Sequence, residues 1–455
     1  MTQTPATPAQ APSSMSSEDA ELSTEVLVIG AGPTGIGAAV RLTQTGTDHL
    51  VVDAFDQPGG MAGSFTDDDG FAWDLGGHVI HSHFASFDEA VAASGTPMND
   101  VVRNGWVWLD GEDPEAMLPA PLQAQLEELP QDLDPLAPAA NLAEYYRNSY
   151  GQDLTDRFFT GYNEKMWTIP LEEVDHAWTS LRSGGSGRNV PCLTLAKDFV
   201  RSTETFPYPK GGTGELWRRI VETQATPSAF RHGARVESVD LEGHRAILSD
   251  GTVIAYRHLI STAPITWLLA QMGREDDAAR LRSSSGVAIG LGYCGEVPER
   301  LRGVTWLYCP DRDVPWYRGT VMSTYDPGTS PEGHWSMLVE VPDTTAVGGR
   351  RWTAEEAVEA CIASVARLGA DPEALVTTWT AEVPMAYPVP TLGRDEILRS
   401  ADEALLAHDV RTRGRFGGWR YESCNQDYSW AQGIQAVDAV LTGSAEDVLW
   451  EPEKY

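Results

Sequence analysis

The sequence predicts an α/β protein in which a Rossmann-like domain is discontinuous, interrupted by an inserted helical domain and an antiparallel β-sheet domain. Three observations predict it. A short apolar run, Glu25-Val26-Leu27-Val28-Ile29, enters Gly30-Ala31-Gly32-Pro33-Thr34-Gly35, and a second run, His49-Leu50-Val51-Val52, ends in Asp53. Far downstream, Leu259-Ile260-Ser261-Thr262-Ala263 reads as a strand returning to the same sheet, and a glycine-rich stretch from Gly414 to Asp427 opens a closing helix marked by Ile434, Val437, Val440 and Leu441. In between, the pattern is helical over 101–204 and strand-like over 276–404.

The expected division is a disordered tail (1–22), the first part of the Rossmann-like domain (23–100), a helical domain with substrate contacts and a lid (101–204), the second part (205–275), the antiparallel sheet domain (276–404), and the third part with the C-terminal helix (405–455). A chain of 455 residues is too long for one small core. The tail is rich in Pro, Thr, Ser, Gln and Ala, with neither the basic nor the apolar segment of a signal peptide. The longest apolar stretch, residues 26–40, is broken by glycines and a proline, so no membrane span is expected. Five scattered cysteines without C-x-x-C spacing argue against a disulfide framework or a metal site and suit a reducing, cytoplasmic setting. A net charge of −33 disfavours nucleic acid and anionic membranes as partners. An anionic substrate would then need a local concentration of the few arginines. Self-association into a homo-oligomer is left open.

Taken in order, the first run reads as a buried parallel strand. The G-x-G-x-x-G lies between a strand and a helix (Ile36, Ala39, Val40, Leu42), and Asp53 follows at roughly the 20-residue distance of a dinucleotide fingerprint. The glycines let backbone approach a pyrophosphate at the helix N-terminus, and Asp53 would bond a ribose hydroxyl. A second glycine cluster, Pro58-Gly59-Gly60-Met61-Ala62-Gly63, follows at once and points to FAD rather than NAD, since a longer cofactor needs a second backbone cradle. Gly76-Gly77-His78 reads either as contact with the isoalloxazine or as a structural histidine in a turn.

Helices are expected at Leu122 to Leu129 and Leu142 to Tyr150, and the aromatic stretch Phe158 to Trp167 puts Asn163 and Trp167 on one helix face. Leu181-Arg182-Ser183-Gly184-Gly185-Ser186-Gly187-Arg188 reads as a solvated linker or as a lid carrying an arginine to a phosphate. A hairpin is expected from Arg235 to Tyr256, turning at Asp250-Gly251. Thr353, Glu356, the stripe Ala357, Val358, Cys361, Ile362, Val365 and Leu368, and Gly369 mark a helix with a capping box.

The chain resembles the UDP-galactopyranose mutase family, more the eukaryotic than the short bacterial type. The resemblance covers roughly residues 24–445. It rests on the G-x-G-x-x-G, Asp74 to His83 (DLGGHVIHSH), Tyr162 to Pro170 (YNEKMWTIP), Gly211-Gly212-Thr213-Gly214, Trp306 to Arg318, Tyr387-Pro388-Val389-Pro390 and the C-terminal GRFGGWRYESCNQD, all in one order. It implies a flavin-dependent isomerase that interconverts pyranose and furanose forms of a nucleotide sugar. The reaction runs through an adduct of the sugar with N5 of reduced FAD, without net redox change, and eukaryotic members take NADPH or NADH as reductant.

The resemblance also implies residue roles. Arg182 and Arg318 would clamp the diphosphate, with phenol hydrogen bonds from Tyr308, Tyr387 and Tyr421. Arg415 would bridge flavin and sugar, and His78 would sit on the flavin beside Gly76 and Gly77. Gln123 would read the base edge, with Asn163, Trp167 and Phe158 in the nucleoside pocket. The flavin would be held by Gly30, Gly32, Thr34, Gly35, Asp53, Gly60, Met61, Val236, Asn425, Gln426 and Asp427. The chain departs from the family at Pro119-Ala120-Pro121-Leu122, which lacks an aromatic pair around Gln123. It departs again in the glycine-rich lid, at Ser202-Thr203 and at Cys424. Those changes leave open a relative acting on a different nucleotide sugar. An FAD-dependent oxidase or desaturase is the alternative of another reaction class.

Overall fold

The computed structural model describes residues 22–119, 133, 137–181 and 205–455. Most of the expected tail, the expected helix at 122–129, and the Arg182 to Arg188 loop lie outside the described residues, as do Gln123 and Ser202-Thr203.

Strand β1 (Leu22–Ile29) lies parallel to β2 (His49–Val52) and to the strand Val253–Ser261, in the register Val28 to Val51 and Val28 to Ile260. This buried parallel centre explains the unbroken apolar run of residues 26–29, all of which are buried. Helix α1 (Pro33–Thr45) follows. A side chain on Gly35 would place its Cβ 1.8 Å from the Gly30 carbonyl oxygen, so the last glycine of the motif is dictated by helix-to-strand packing. The strand Val410–Thr412 joins the same sheet in parallel, which ties the C-terminal part of the chain to the N-terminal part.

The closing helix, Gln426–Thr442, packs against α1 at a distance only glycines permit. A Cβ on Gly37 would lie 2.6 Å from the Trp430 carbonyl oxygen, and one on Gly433 would lie 2.1 Å from that of Thr34. This contact places the start of the closing helix beside the start of α1, so both N-termini face one cavity.

The expected single hairpin is a three-stranded meander. Val236–Asp240, Arg245–Leu248 and Val253–Ser261 pair in sequence, with the Asp250-Gly251 turn between the last two. The additional turn comes at residues 241–244, where His244 adopts a positive φ of 50°.

The second sheet has seven strands, running from the edge strand Leu375–Val383 through Gly286–Cys294, His334–Pro342, Arg318–Thr320 and Trp306–Tyr308 to Gly105–Trp108 and Met117–Pro119. The last two correct the expectation that 101–204 is helical throughout. Trp106, Val107 and Trp108 are shaped for a pleated surface, and Gly105 to Val107 pair in parallel with Trp306–Tyr308. Helices do occupy Leu142–Tyr150 and Thr160–Trp167, the latter entered through a π-helical turn at Thr155–Phe159. The capping box at Thr353 and Glu356 is formed, and its helix, Ala354–Arg367, stops just before Leu368.

Candidate active site

A cavity of about 930 Å³ opens between the two sheets, and the carboxyl ends of β1 and β2 lead into it. Gly30 sits at φ +99°, and a Cβ there would strike Thr262 Oγ1 at 2.0 Å, so only glycine fits the turn out of β1. Gly32 precedes α1 without a side-chain cap, leaving the first N–H groups of a 13-residue helix aimed at the cavity. Gly60, at φ +53°, faces Gly32 so closely that a Cβ would stand 3.1 Å from the Gly32 Cα. The two glycine turns thus form one cradle with no side chains in it.

Asp53 accepts hydrogen bonds from the Ala31 amide at 2.5 Å and the Phe55 amide at 2.7 Å. Burial pushes its carboxyl above the ordinary value, opposed by those two bonds. These bonds fix its orientation, and the residue lines the cavity with acceptor capacity left over.

The opposite wall is built by register. Arg318 pairs across strands with Tyr308 on one side and Glu340 on the other, so the three side chains stand in one row on the cavity face. Arg318 Nε and Nη2 donate to the two Glu340 oxygens at 2.6 and 2.9 Å, and Nη2 also reaches the Tyr387 hydroxyl at 3.3 Å. The Tyr317 hydroxyl and the Gly77 amide donate to the same carboxylate, the latter at 3.2 Å. Burial favours the neutral acid, but Arg318 and these donors prevail and hold Glu340 below the ordinary carboxylate range.

Arg415 carries the charge that is left over. Its Nε and Nη2 donate to the Ala386 carbonyl oxygen at 3.0 and 2.6 Å, and its guanidinium lies 4.6 Å from the Tyr387 ring centre. Among the described residues no carboxylate pairs with it. Arg103, on the same cavity wall, is likewise without a described carboxylate partner and lies over Trp306 at 5.5 Å. His78 lies beside both Arg318 and Arg415. Burial first, then those two guanidinium groups, lower its pKa to about 4, so the imidazole is neutral at ordinary pH. Among the described residues its buried Nδ1 has no hydrogen-bond partner.

Of the residues expected at the site, Gly30, Gly32, Thr34, Asp53, Gly60, Met61, Gly76, Gly77, His78, Val236, Tyr308, Arg318, Tyr387, Arg415, Tyr421, Asn425 and Gln426 all line this one cavity. Others stand one layer behind its wall. Gly35 is taken up by helix packing. Asn163 is spent within its own helical region, donating to the Phe159 carbonyl at 2.9 Å and accepting from the Tyr146 hydroxyl at 3.3 Å. Trp167 packs edge-on against Tyr421 at 4.8 Å, and Phe158 stacks on Tyr162 at 5.6 Å, so each supports a wall residue. Asp427 is turned inward to bind His83 Nδ1 at 2.7 Å and the His83 amide at 3.0 Å, and His83 is the residue at the wall. Gln123 and Arg182 lie outside the described residues.

Sequence reasoning missed Glu340, Tyr317, Arg103 and Lys165. Glu340 had a signal: it is the one acid in the strand His334–Pro342 and interrupts the apolar run Met337 to Pro342. Lys165 is buried, and its ammonium donates to the backbone carbonyls of Cys309, Asp311 and Trp316, which holds the loop that leads into Arg318.

The residues present fit a flavin dinucleotide. The paired glycine turns admit backbone approach, Asp53 is placed for a ribose, and the closing helix presents Asn425 and Gln426 from its N-terminal end. No helix among the described residues is long and apolar enough to cross a membrane.

Comparison with known proteins agrees. The family model for flavin containing amine oxidoreductase matches residues 33–441. A crystal structure of reduced UDP-galactopyranose mutase superposes with a TM-score of 0.86 at 32% identity, covering 95% of this chain and 97% of that one. Cyclohexylamine oxidase from Brevibacterium oxydans shares the fold at a TM-score of 0.64 and 16% identity, covering 92% and 98% of the two chains. Phytoene desaturase from Fusarium fujikuroi is 22% identical over an alignment 381 residues long that covers 71% of this chain and 66%, just under two thirds, of that protein. The family-wide match and the close structural relative together establish that the chain belongs to the flavin containing amine oxidoreductases and, within them, to the UDP-galactopyranose mutase family.

Proposed function

We propose that the protein is a flavin-dependent isomerase that interconverts the pyranose and furanose forms of a nucleotide sugar of the UDP-galactose kind, without net oxidation of the sugar. The observation that carries this reading is the charge inventory of the cavity. Arg415 and Arg103 lack described carboxylate partners there, and Tyr308, Tyr387 and Tyr421 line the same cavity. An amine substrate would be repelled by such a wall, and an apolar polyene would gain nothing from it. A diphosphate satisfies it.

Reduced FAD, when bound, supplies the electron-rich centre for attack at the anomeric carbon of the sugar. The protein's residues do the rest. Arg318, already oriented by Glu340, and Arg415 stabilise the negative charge that grows on the departing diphosphate, and bidentate guanidinium geometry keeps that group in place for its return. The tyrosine hydroxyls add donors at the same anion. His78 stays neutral and offers a hydrogen bond without adding charge at the flavin side. Arg182 and Gln123 are assigned to diphosphate and base on the resemblance alone. NADPH or NADH serves as the reductant, and the setting is cytoplasmic.

The test is anaerobic incubation with UDP-galactofuranose, with and without dithionite, followed by chromatography of the nucleotide sugars. UDP-galactopyranose should form only when the flavin is reduced. A protein that binds flavin yet converts nothing in either state would move the reading to another nucleotide sugar. Hydrogen peroxide release with substrate oxidation would replace it with the oxidase reading.

A further inference from the structure

Glu340 is a carboxylate that the proposed chemistry does not use directly, yet it lines the cavity and holds more partners than any other acid there. Its two oxygens accept from Arg318 Nε and Nη2, from the Tyr317 hydroxyl and from the Gly77 amide. These partners come from different parts of the chain. Arg318 belongs to the antiparallel sheet, whereas Gly77 belongs to the loop that carries His78 beside the glycine cradle. A Cβ on Gly76 would lie 3.7 Å from both Arg318 Nη2 and the Glu340 carboxylate, so this loop rests directly on the ion pair.

We propose that Glu340 is a positioning residue that aims Arg318 at the diphosphate and couples that arm to the Gly76-Gly77-His78 loop on the flavin side. The inference deepens the reading of the site given above and rests on it. The geometry is specific. Binding the fork through Nε and Nη2 leaves Nη1 without a hydrogen bond among the described residues, on a side chain that lines the cavity. A guanidinium docked on that edge presents its free N–H groups in one direction, which lowers the ordering cost when an anion arrives. The pair also sets the charge. With Glu340 in place, Arg318 contributes fork geometry but little net charge, and Arg415 supplies the uncompensated cation. Removing the carboxylate charge would raise the positive potential at the flavin and the diphosphate together, while freeing the fork to swing.

The experiment compares the wild-type flavoprotein with Glu340→Gln and Glu340→Asp. Calorimetry measures UDP affinity, spectroelectrochemistry measures the flavin midpoint potential, and steady-state assays measure turnover with UDP-galactofuranose. Glu340→Gln should bind UDP at least as tightly as wild type, shift the flavin potential in the positive direction, and lose at least tenfold in kcat. Glu340→Asp keeps the charge but is shorter by one methylene, so its potential should stay at the wild-type value while kcat falls by less than in the Gln variant. Unchanged potential and unchanged UDP affinity in Glu340→Gln would overturn the proposal. If the Gln variant does not fold, the Asp variant decides, and wild-type turnover in it would overturn the proposal. Failure of the wild type itself to bind UDP would instead remove the nucleotide-sugar reading, and the potential shift would still judge the link from Glu340 to the flavin side.

Discussion

At the scale of single residues, the site separates into side chains placed by local sequence and side chains placed by pairing. Gly30, Gly32 and Asp53 were legible because strand, turn, helix and acid follow one another at fixed spacing, and each has a local steric or hydrogen-bonding reason. Glu340 was not, because its role exists only once the strands are in register and Arg318 stands opposite. His78 was legible as a candidate, but its protonation state was not, since that depends on Arg318 and Arg415 from distant parts of the chain. The consequence is measurable. Its folded-state pKa, about 4, lies below the ordinary 6.5, so between those values the unfolded chain binds a proton that the folded chain does not. The stability contribution is therefore full above pH 6.5 and falls as the pH drops toward 4. Part of the ring is open to the cavity, where water offsets some of the desolvation, so the loss is about 1–3 kcal/mol. Urea denaturation of wild type and His78→Asn at pH 7 and pH 4.5 should show the wild type losing more stability between the two pH values. Equal losses would mean that His78 titrates normally in the folded protein.

At the scale of elements, the contact between α1 and the closing helix explains why a stretch near residue 420 belongs to the same site as one near residue 30. The sequence showed both helices by periodicity and showed glycines within them, but not that Gly37 and Gly433 face each other's helix. A helical glycine has a packing reason only when the partner is known. Gly433→Ala tests the contact. The new methyl would begin 2.1 Å from the Thr34 carbonyl oxygen, which is backbone and cannot swing aside. The helices must part, at a cost of about 1–3 kcal/mol for overpacking. That displacement moves Asn425 and Gln426 away from the cradle. The variant should melt several degrees lower and retain less flavin on purification, whereas Ala at the exposed Gly443, at a positive φ but with open space around it, should keep its flavin. Full flavin occupancy in Gly433→Ala would show that the closing helix does not set the cradle. The same logic accounts for the strands Gly105–Trp108 and Met117–Pro119. Met117–Pro119 pairs only with Gly105–Trp108, whose own partner on the other side, Trp306–Tyr308, lies some two hundred residues onward, and no local pattern announces it.

At the scale of the whole molecule, a chain of net charge −33 carries a cavity whose exposed chemistry is cationic. Composition showed the first fact and disfavoured nucleic acid and anionic membrane as partners. The second emerged only when folding brought Arg103, Arg318 and Arg415 to one wall and gave a described carboxylate to just one of them. The two facts oppose each other in the binding of an anion. At a distance, a nucleotide sugar meets the summed field of the acidic surface, which repels it and slows encounter. Inside the cavity it meets guanidinium groups at short range and in low dielectric. Salt separates these effects. The Debye length shortens from about 30 Å at 0.01 M to about 8 Å at 0.15 M, which screens the surface field before the approaching ligand feels it, while partly buried contacts are screened much less. Stopped-flow measurement of UDP binding to the flavoprotein should therefore show the association rate rising several-fold over that range of salt, with the dissociation rate rising less. An association rate that falls with salt would mean that the cavity's positive field reaches beyond the acidic surface and steers the ligand in, and that the arginines govern encounter as well as capture.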